Sequence, residues 1–180
     1  APQAPPKEKV IKLGGSFDLT GPTSSVAVHP FKFQLAYVDY INKTQGGIKG
    51  IRLQYDWLDD AYLAARGVTA YKTLRDRGVM VYTPQSAHIV EAIKQQSDED
   101  KVVIIPQSAT IPMIEPPGWT YLPYALYSDV FNAFLQWVKQ SWKESRPPKV
   151  AILGLTVAIG RSVLEPGQKY AKQLGIDRVM

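Results

Sequence analysis

The sequence contains no cysteine, which excludes disulfides, thiolate metal sites and a cysteine nucleophile. Histidine is nearly as scarce. With only His29 and His88, a histidine-rich metal site is excluded as well, and no cofactor is expected. No stretch approaches the roughly 20 apolar residues that cross a bilayer, and the opening APQAPPKEKV lacks the apolar centre of a signal peptide. A run of one charge is missing too. The net charge is +5, but Lys72, Arg75 and Arg77 are interleaved with acids such as Asp76, the pattern of a solvated face rather than a nucleic-acid surface.

What is present is enough hydrophobic residue, 45% of 180, to bury a sizeable core in one domain or two small ones. Short apolar runs at residues 10–13, 51–58, 79–82, 102–105 and 150–153 alternate with segments of helical spacing at 30–43, 62–77, 87–97, 128–143 and 161–174. A further strand is expected at 119–123. Strands alternating with helices of this length make βαβ units, so the expected fold class is α/β, a parallel sheet with helices on both faces. Phe31, Leu35, Val38 and Ile41 form the inward stripe of the first helix, and Leu63, Val68, Tyr71 and Leu74 that of the second. Residues 1–8 read as a flexible Pro-rich tail of the kind left after a signal segment is removed.

The run VVIIPQSATIP at residues 102–112 is the most informative stretch. It reads as a fully buried strand that breaks at Pro106 into Gln107, Ser108, Ala109 and Thr110, with Pro112 opening a turn or helix. The tetrapeptide Pro-Gln-Ser-Ala also follows the preceding strand, as Pro84, Gln85, Ser86 and Ala87. Two successive strands thus end in the same chemistry. Parallel strands deliver their carboxyl ends to one edge, where ligands bind, so Ser86, Ser108 and Thr110 are expected to face one cleft. The alternative is that both serines only cap the helices that follow. Gly14-Gly15 reads as a Gly-rich turn ending the first strand, a weak phosphate signal, since neither G-x-G-x-x-G nor a P-loop is present. Asp59 and Asp60 are adjacent at a strand end, where neighbouring side chains point to opposite faces, which argues against a catalytic pair.

Ile11-Lys12-Leu13-Gly14, Leu19-Thr20-Gly21-Pro22, Tyr40-Ile41-Asn42, Gly46-Gly47-Ile48-Lys49-Gly50, Asp59-Asp60 and Ser108-Ala109-Thr110-Ile111-Pro112 fall in an order and spacing that resembles the type I periplasmic binding proteins. The branched-chain amino-acid-binding components of ABC importers are the most similar. The resemblance covers residues 10–176 and implies two α/β lobes, joined by a hinge, closing on a small ligand. It places lobe 1 at 9–124, the crossover at 125–128 and an incomplete lobe 2 at 129–180, so the chain is expected to be the N-terminal portion of a longer protein. In that family Ser86 would hold the ligand carboxylate, with Gln85 beside it, while Ala109 and Thr110 would hold the head group next to Ser108. Thr110 would then matter more than Ser108. Two positions depart from the pattern. Ile159 stands before Gly160 where relatives carry a tyrosine, and Val26 replaces an aromatic residue. Both changes make the pocket more apolar, so an aromatic or aliphatic acid, or an amide, competes with an amino acid as ligand.

The resemblance implies an exported, periplasmic or extracytoplasmic solute-binding protein whose partners are a small molecule and a membrane permease. Nucleic acid is not expected. A ligand-sensing domain of a receptor or an amide-type regulator is the alternative with the same fold. A hydrolase using Ser86 or Ser108 is opposed by the missing G-x-S-x-G and by two histidines without triad context. An incomplete lobe 2 would leave apolar surface, and the 180-residue form is expected to dimerise through it.

Overall fold

A computed structural model describes residues 9–154 and 156–179; the tail expected at 1–8 lies outside them. The first half alternates β1 (Val10–Phe17), α1 (Ser24–Gln45), β2 (Arg52–Asp59), α2 (Ala64–Asp76), β3 (Val81–Tyr82), α3 (Ala87–Asp100) and β4 (Val103–Ile104). The four strands are parallel, in the order β2-β1-β3-β4. From β1 the chain steps one way to β2, then back across β1 to β3 and β4. Right-handed crossovers therefore place α1 on one face of the sheet and α2 and α3 on the other. The direction reverses between β1 and β3, and a crevice opens at their carboxyl ends. The expected α/β class with both faces covered is what the chain adopts.

Several element boundaries differ from those expected, each for a local reason. β1 does not stop at Gly14-Gly15 but runs through them to Phe17. A Cβ on Gly14 would lie 2.9 Å from the Val79 side chain, and one on Gly15 would meet the Tyr55 hydroxyl and the Thr83 carbonyl. These glycines mark close approach inside a strand, not a phosphate-binding turn. Helix α1 starts a turn and a half earlier than its proline suggests. Pro30 sits inside it, removing the N–H that would meet the Val26 carbonyl.

β4 is not buried on both sides: Val102 and Ile104 point into the core, whereas Ile105 is exposed. The strand expected at 119–123 shrinks to a parallel bridge between Ile104 and Thr120, between Gly118 and Pro123. In the second half, α4 (Tyr127–Ser141) begins at Leu126 rather than at the Ser128-Asp129 cap, because the Tyr127 N–H donates to the Ala109 carbonyl at 3.0 Å. β5 is only Lys149–Val150, paired in parallel with β6 (Arg178–Val179), and Leu153 is fully exposed. The expected helix at 161–174 divides into α5 (Ala158–Arg161) and α6 (Leu164–Leu174). The break leaves Pro166 in the first turn of a new helix, where its missing N–H removes no intrahelical bond.

Two hydrophobic clusters result. The larger joins Tyr71, Leu74, Val79, Tyr82, Val90, Ile93, Ile104 and Met113 between sheet, α2 and α3. The smaller joins Leu135, Ala171 and Ile176. Of the expected second-helix stripe, Tyr71 and Leu74 are buried and Val68 packs at the edge of the core, but Leu63 is exposed because it precedes the helix.

Helices α2 and α3 meet closely at Gly67, where a Cβ would lie 2.6 Å from three side-chain atoms of the fully buried Ile89. Gly67→Ala is expected to lower the melting temperature. Overpacking costs about 1–3 kcal/mol, which exceeds or offsets the roughly 1 kcal/mol that alanine gains in helix propensity. Ile89→Val should then cost less in the Gly67→Ala background than alone, a coupling read by a double-mutant cycle of thermal melts.

Candidate functional site

The parallel register pairs Val81 with Val103 and Tyr82 with Ile104, an offset equal to the spacing of the two Pro-Gln-Ser-Ala copies. Beyond the strands the pairing continues, with Ile105 N–H donating to the Tyr82 carbonyl at 3.0 Å and Gln107 N–H to the Pro84 carbonyl at 3.0 Å. Pro84 thus lies beside Pro106, Gln85 beside Gln107 and Ser86 beside Ser108. On the other side, Gln85 N–H donates to the Ser16 carbonyl of β1 at 3.1 Å. The repeat is therefore a pair of strand ends locked edge to edge.

Within this pair the side chains divide their work diagonally. Gln85 Oε1 accepts from the Asp18 N–H at 3.1 Å, and Ser108 Oγ donates to the Gln85 carbonyl at 2.8 Å. These two are structural ties. The other diagonal is free: Ser86 Oγ and Gln107 Nε2 are buried and have no hydrogen-bond partner among the described residues. Ser86 occupies the N-cap position of α3 with extended backbone, yet its hydroxyl makes no capping bond. The first N–H groups of a 14-residue helix point toward the same place, an electropositive helix end.

These groups form the floor of a cleft of about 270 Å³ lined by Gln85, Ser86, Ala87, Gln107 and Ser108, with walls from Thr23, Val26, Pro30, Tyr62, Tyr127 and Ile159. Gln85, Ser86, Ser108 and Ile159 thus line one cleft. Ala109 and Thr110 are buried behind the lining. The Thr110 hydroxyl donates to Glu91 Oε1 at 2.7 Å, and the Ala109 carbonyl receives Tyr127 N–H. Both support a wall instead of facing the cleft. Tyr62, Tyr127 and Gln107 were not expected in the site. Gln107 was legible as the partner of Gln85 in the repeat, but Tyr62 is delivered by left-handed backbone at Ala61 (φ 48°) and Tyr62 (φ 62°), which residue type does not announce.

No charged side chain lines this cleft among the described residues, although three carboxylates lie close by. Asp18 accepts from the N–H groups of Gly21 and Thr23 and from the Thr23 hydroxyl. Asp59 accepts from Leu19 N–H at 2.9 Å, Ala61 N–H at 3.0 Å and the Thr20 hydroxyl. Burial pushes the Asp59 carboxyl up, but these bonds together hold it below its ordinary value. Asp60 accepts Tyr62 N–H at 2.9 Å through Oδ1, while Oδ2 has no partner among the described residues. The three carboxylates are loop fasteners. His88 Nε2 faces the Tyr62 carbonyl at 3.2 Å, not Ser86.

The family model described as "Periplasmic binding protein" matches residues 10–180. No curated protein matches. Among solved structures, a branched-chain amino acid ABC transporter protein from Thermus thermophilus with bound valine is 26% identical, with a TM-score of 0.84 over 96% of this chain and 46% of its own. A fatty acid ABC transporter substrate-binding protein from Thermomonospora curvata is 24% identical, with a TM-score of 0.84 over 96% and 43%. A solute-binding protein from Rhodopseudomonas palustris BisB5 in complex with 3,4-dihydroxybenzoic acid is 18% identical, with a TM-score of 0.77 over 95% and 46%. The last two show the fold alone. This chain spans less than half the length of each.

Asp60 supplies a stability test. Burial raises its carboxyl above the ordinary value of 3.8, with Tyr62 N–H opposing and the charges of Asp18 and Asp59 reinforcing. A carboxyl whose folded pKa is raised favours folding when protonated. Its ionisation therefore costs stability as pH rises from the unfolded value through the folded one. Asp60→Asn keeps an acceptor for Tyr62 and removes that cost, so it should raise the melting temperature at pH 7. The gain should vanish as pH falls below about 3.8, read by paired melts across that range.

Proposed function

This chain belongs to the periplasmic binding protein family, and from that premise we propose that it forms the first lobe and the beginning of the second in an extracytoplasmic solute-binding protein of an ABC importer. Lobe 1 spans 9–124, the crossover 125–128, and lobe 2 starts at 129. The solute is a small carboxylate or amide compound held at the cleft floor and handed to a membrane permease. One observation carries this reading: Ser86 Oγ and Gln107 Nε2, free and buried on neighbouring strand ends, stand beside the N-terminus of α3. Both are donors, and a helix N-terminus favours an anion. A carboxylate there gains charge-assisted hydrogen bonds without a buried counter-charge to desolvate. The neighbours' bound solutes include an amino acid and an aromatic acid, and both carry such a group.

Among the described residues no helix is long and apolar enough to cross a membrane. Binding without turnover accords with the cleft chemistry, since Ser86 Oγ has no hydrogen-bond partner among the described residues and His88 Nε2 lies against the Tyr62 carbonyl instead. Thr110 contributes indirectly, through Glu91 and the wall that its neighbour Ala109 fastens.

Thermal-shift screening of the full-length protein against amino acids, aliphatic and aromatic acids and amides tests the proposal. A solute at a hundredfold excess over its Kd should add about 2.7 kcal/mol of stability. Removing a hydrogen bond to a charged group costs roughly 1.5–3 kcal/mol, so Ser86→Ala should weaken that solute at least tenfold, and Thr110→Val less. A protein that responds to none of these classes is not the binding protein described.

A further inference from the structure

Tyr55 of β2 reaches β3 by crossing over β1. The register sets Tyr55 beside Leu13 and Tyr82 beside Gly14, so Thr83 falls beside Gly15. The Tyr55 hydroxyl passes over Gly15, where a Cβ would meet it, and hydrogen-bonds both the Thr83 hydroxyl, at 2.5 Å, and Gln34 Oε1 of α1. The Thr83 hydroxyl also reaches Gln34 Oε1 at 2.8 Å, with the Gly14 carbonyl 3.3 Å away. Two hydroxyls from two strands thus converge on one amide oxygen of the helix that covers them. Burial pushes the Tyr55 hydroxyl up, with the Thr83 bond opposing, so Tyr55 remains a neutral donor. Gly15 is the opening that admits it.

This junction stands where a wall of the cleft meets its floor. Val26, Pro30 and Gln34 follow at intervals of four, so they share one face of α1, and the first two line the cleft. Thr83 and Gln85 fall on one side of the extended segment after β3. The backbone of that segment is tied to β1 by Thr83 N–H on the Gly14 carbonyl at 2.8 Å and Gln85 N–H on the Ser16 carbonyl at 3.1 Å. Pro30 removes the helical bond to the Val26 carbonyl, so α1 holds its own N-terminal part less firmly than an unbroken helix would. We propose that Gln34, Thr83 and Tyr55 are positioning residues, a brace that fixes the wall of Val26 and Pro30 against the strand end presenting Ser86. This rests on the solute-binding reading of the cleft and deepens it by assigning what sets the spacing of wall and floor. Every contact in the brace is made within the first lobe.

Hydrogen exchange on the full-length protein, read peptide by peptide, tests the brace without any solute. Thr83→Val keeps the shape of the side chain and removes its hydroxyl, so exchange should quicken at 24–34 and 83–90 together while α6 stays unchanged. Thr83→Ser should restore the wild-type pattern. Tyr55→Phe should reproduce the Thr83→Val pattern, and the double variant should add little, because both act through one junction. Val68→Ala trims the edge of the core on α2, away from the brace, and controls for lost stability; it should not quicken those two segments selectively. Calorimetry with leucine and benzoate as probes then reads the site. A neutral hydrogen bond is worth about two- to tenfold in an equilibrium constant, so Thr83→Val should weaken whichever probe binds by that factor, while Thr83→Ser and Val68→Ala leave it unchanged. An exchange map for Thr83→Val no different from that of Val68→Ala overturns the brace. Segments that quicken as expected with no change in probe affinity overturn the positioning role and leave the solute-binding reading intact. If the wild type binds neither probe nor any other acid or amide screened, the solute-binding reading fails and takes the positioning role with it, while the exchange map still decides the brace.

Discussion

The pairing of β3 with β4 is the constraint on which the rest depends. A parallel register fixes which residues lie side by side, and a shift of one would turn each side chain to the other face. Here the 22-residue offset between Val81 and Val103 matches the offset between the two tetrapeptides. Repetition in the sequence thus becomes adjacency in space. Because each copy contains one amide and one hydroxyl, the adjacency yields four polar side chains at one sheet edge. Two of them, Gln85 and Ser108, tie the edge together, and this tie keeps Ser86 and Gln107 in place without using their donors. A buried donor with no partner costs about 1–3 kcal/mol, which is the physical ground for the proposal that a ligand oxygen is accepted at this edge.

The loops beyond the edge solve a second problem, that of rigid walls without charge in the cleft. Three aspartates, Asp18, Asp59 and Asp60, bind N–H groups of loops 18–23 and 59–62. Their charges are consumed as acceptors for loop backbone. Asp59 and Asp60, whose adjacency in the sequence argued against a catalytic pair, act here as loop acceptors, and they hold the left-handed Ala61-Tyr62 pair against its own preference.

Much of this was legible beforehand because hydrophobic periodicity and burial share a cause. The inward stripe of Phe31, Leu35, Val38 and Ile41 and the order of strands and helices followed from spacing, and the repeat identified the functional edge. What failed had local causes that composition hides. Gly14 and Gly15 looked like a turn because glycine favours turns, whereas Val79, just before β3, and Tyr55 of β2 demand them within β1. Pro30 looked like a helix start but is tolerated in its interior. Thr110 is a ligand contact by family resemblance, and here Glu91, just over one turn into α3, takes its hydroxyl. Tyr62 escaped notice because its placement depends on two φ angles, and no residue type encodes those.

The wall that carries Ile159 depends on a different balance. A two-stranded sheet with strands of two residues is not stable by itself, so β5 and β6 cannot position α5. The positioning comes from packing at both ends. Gly167 lets α6 approach Phe131 of α4 so closely that a Cβ would meet its ring, and Leu135 and Ala171 close the contact. At the other end, Ala158 packs against the main core beside α3. Tyr127 N–H on the Ala109 carbonyl and the Tyr124 hydroxyl on the Pro106 carbonyl then fasten the root of α4 to the end of β4. The wall of Tyr127 and Ile159 is consequently referred to one short strand end, the segment from Pro106 to Thr110. Any displacement of that segment moves the floor donor of Gln107 and the root of α4 together, which makes floor and wall a single mechanical unit.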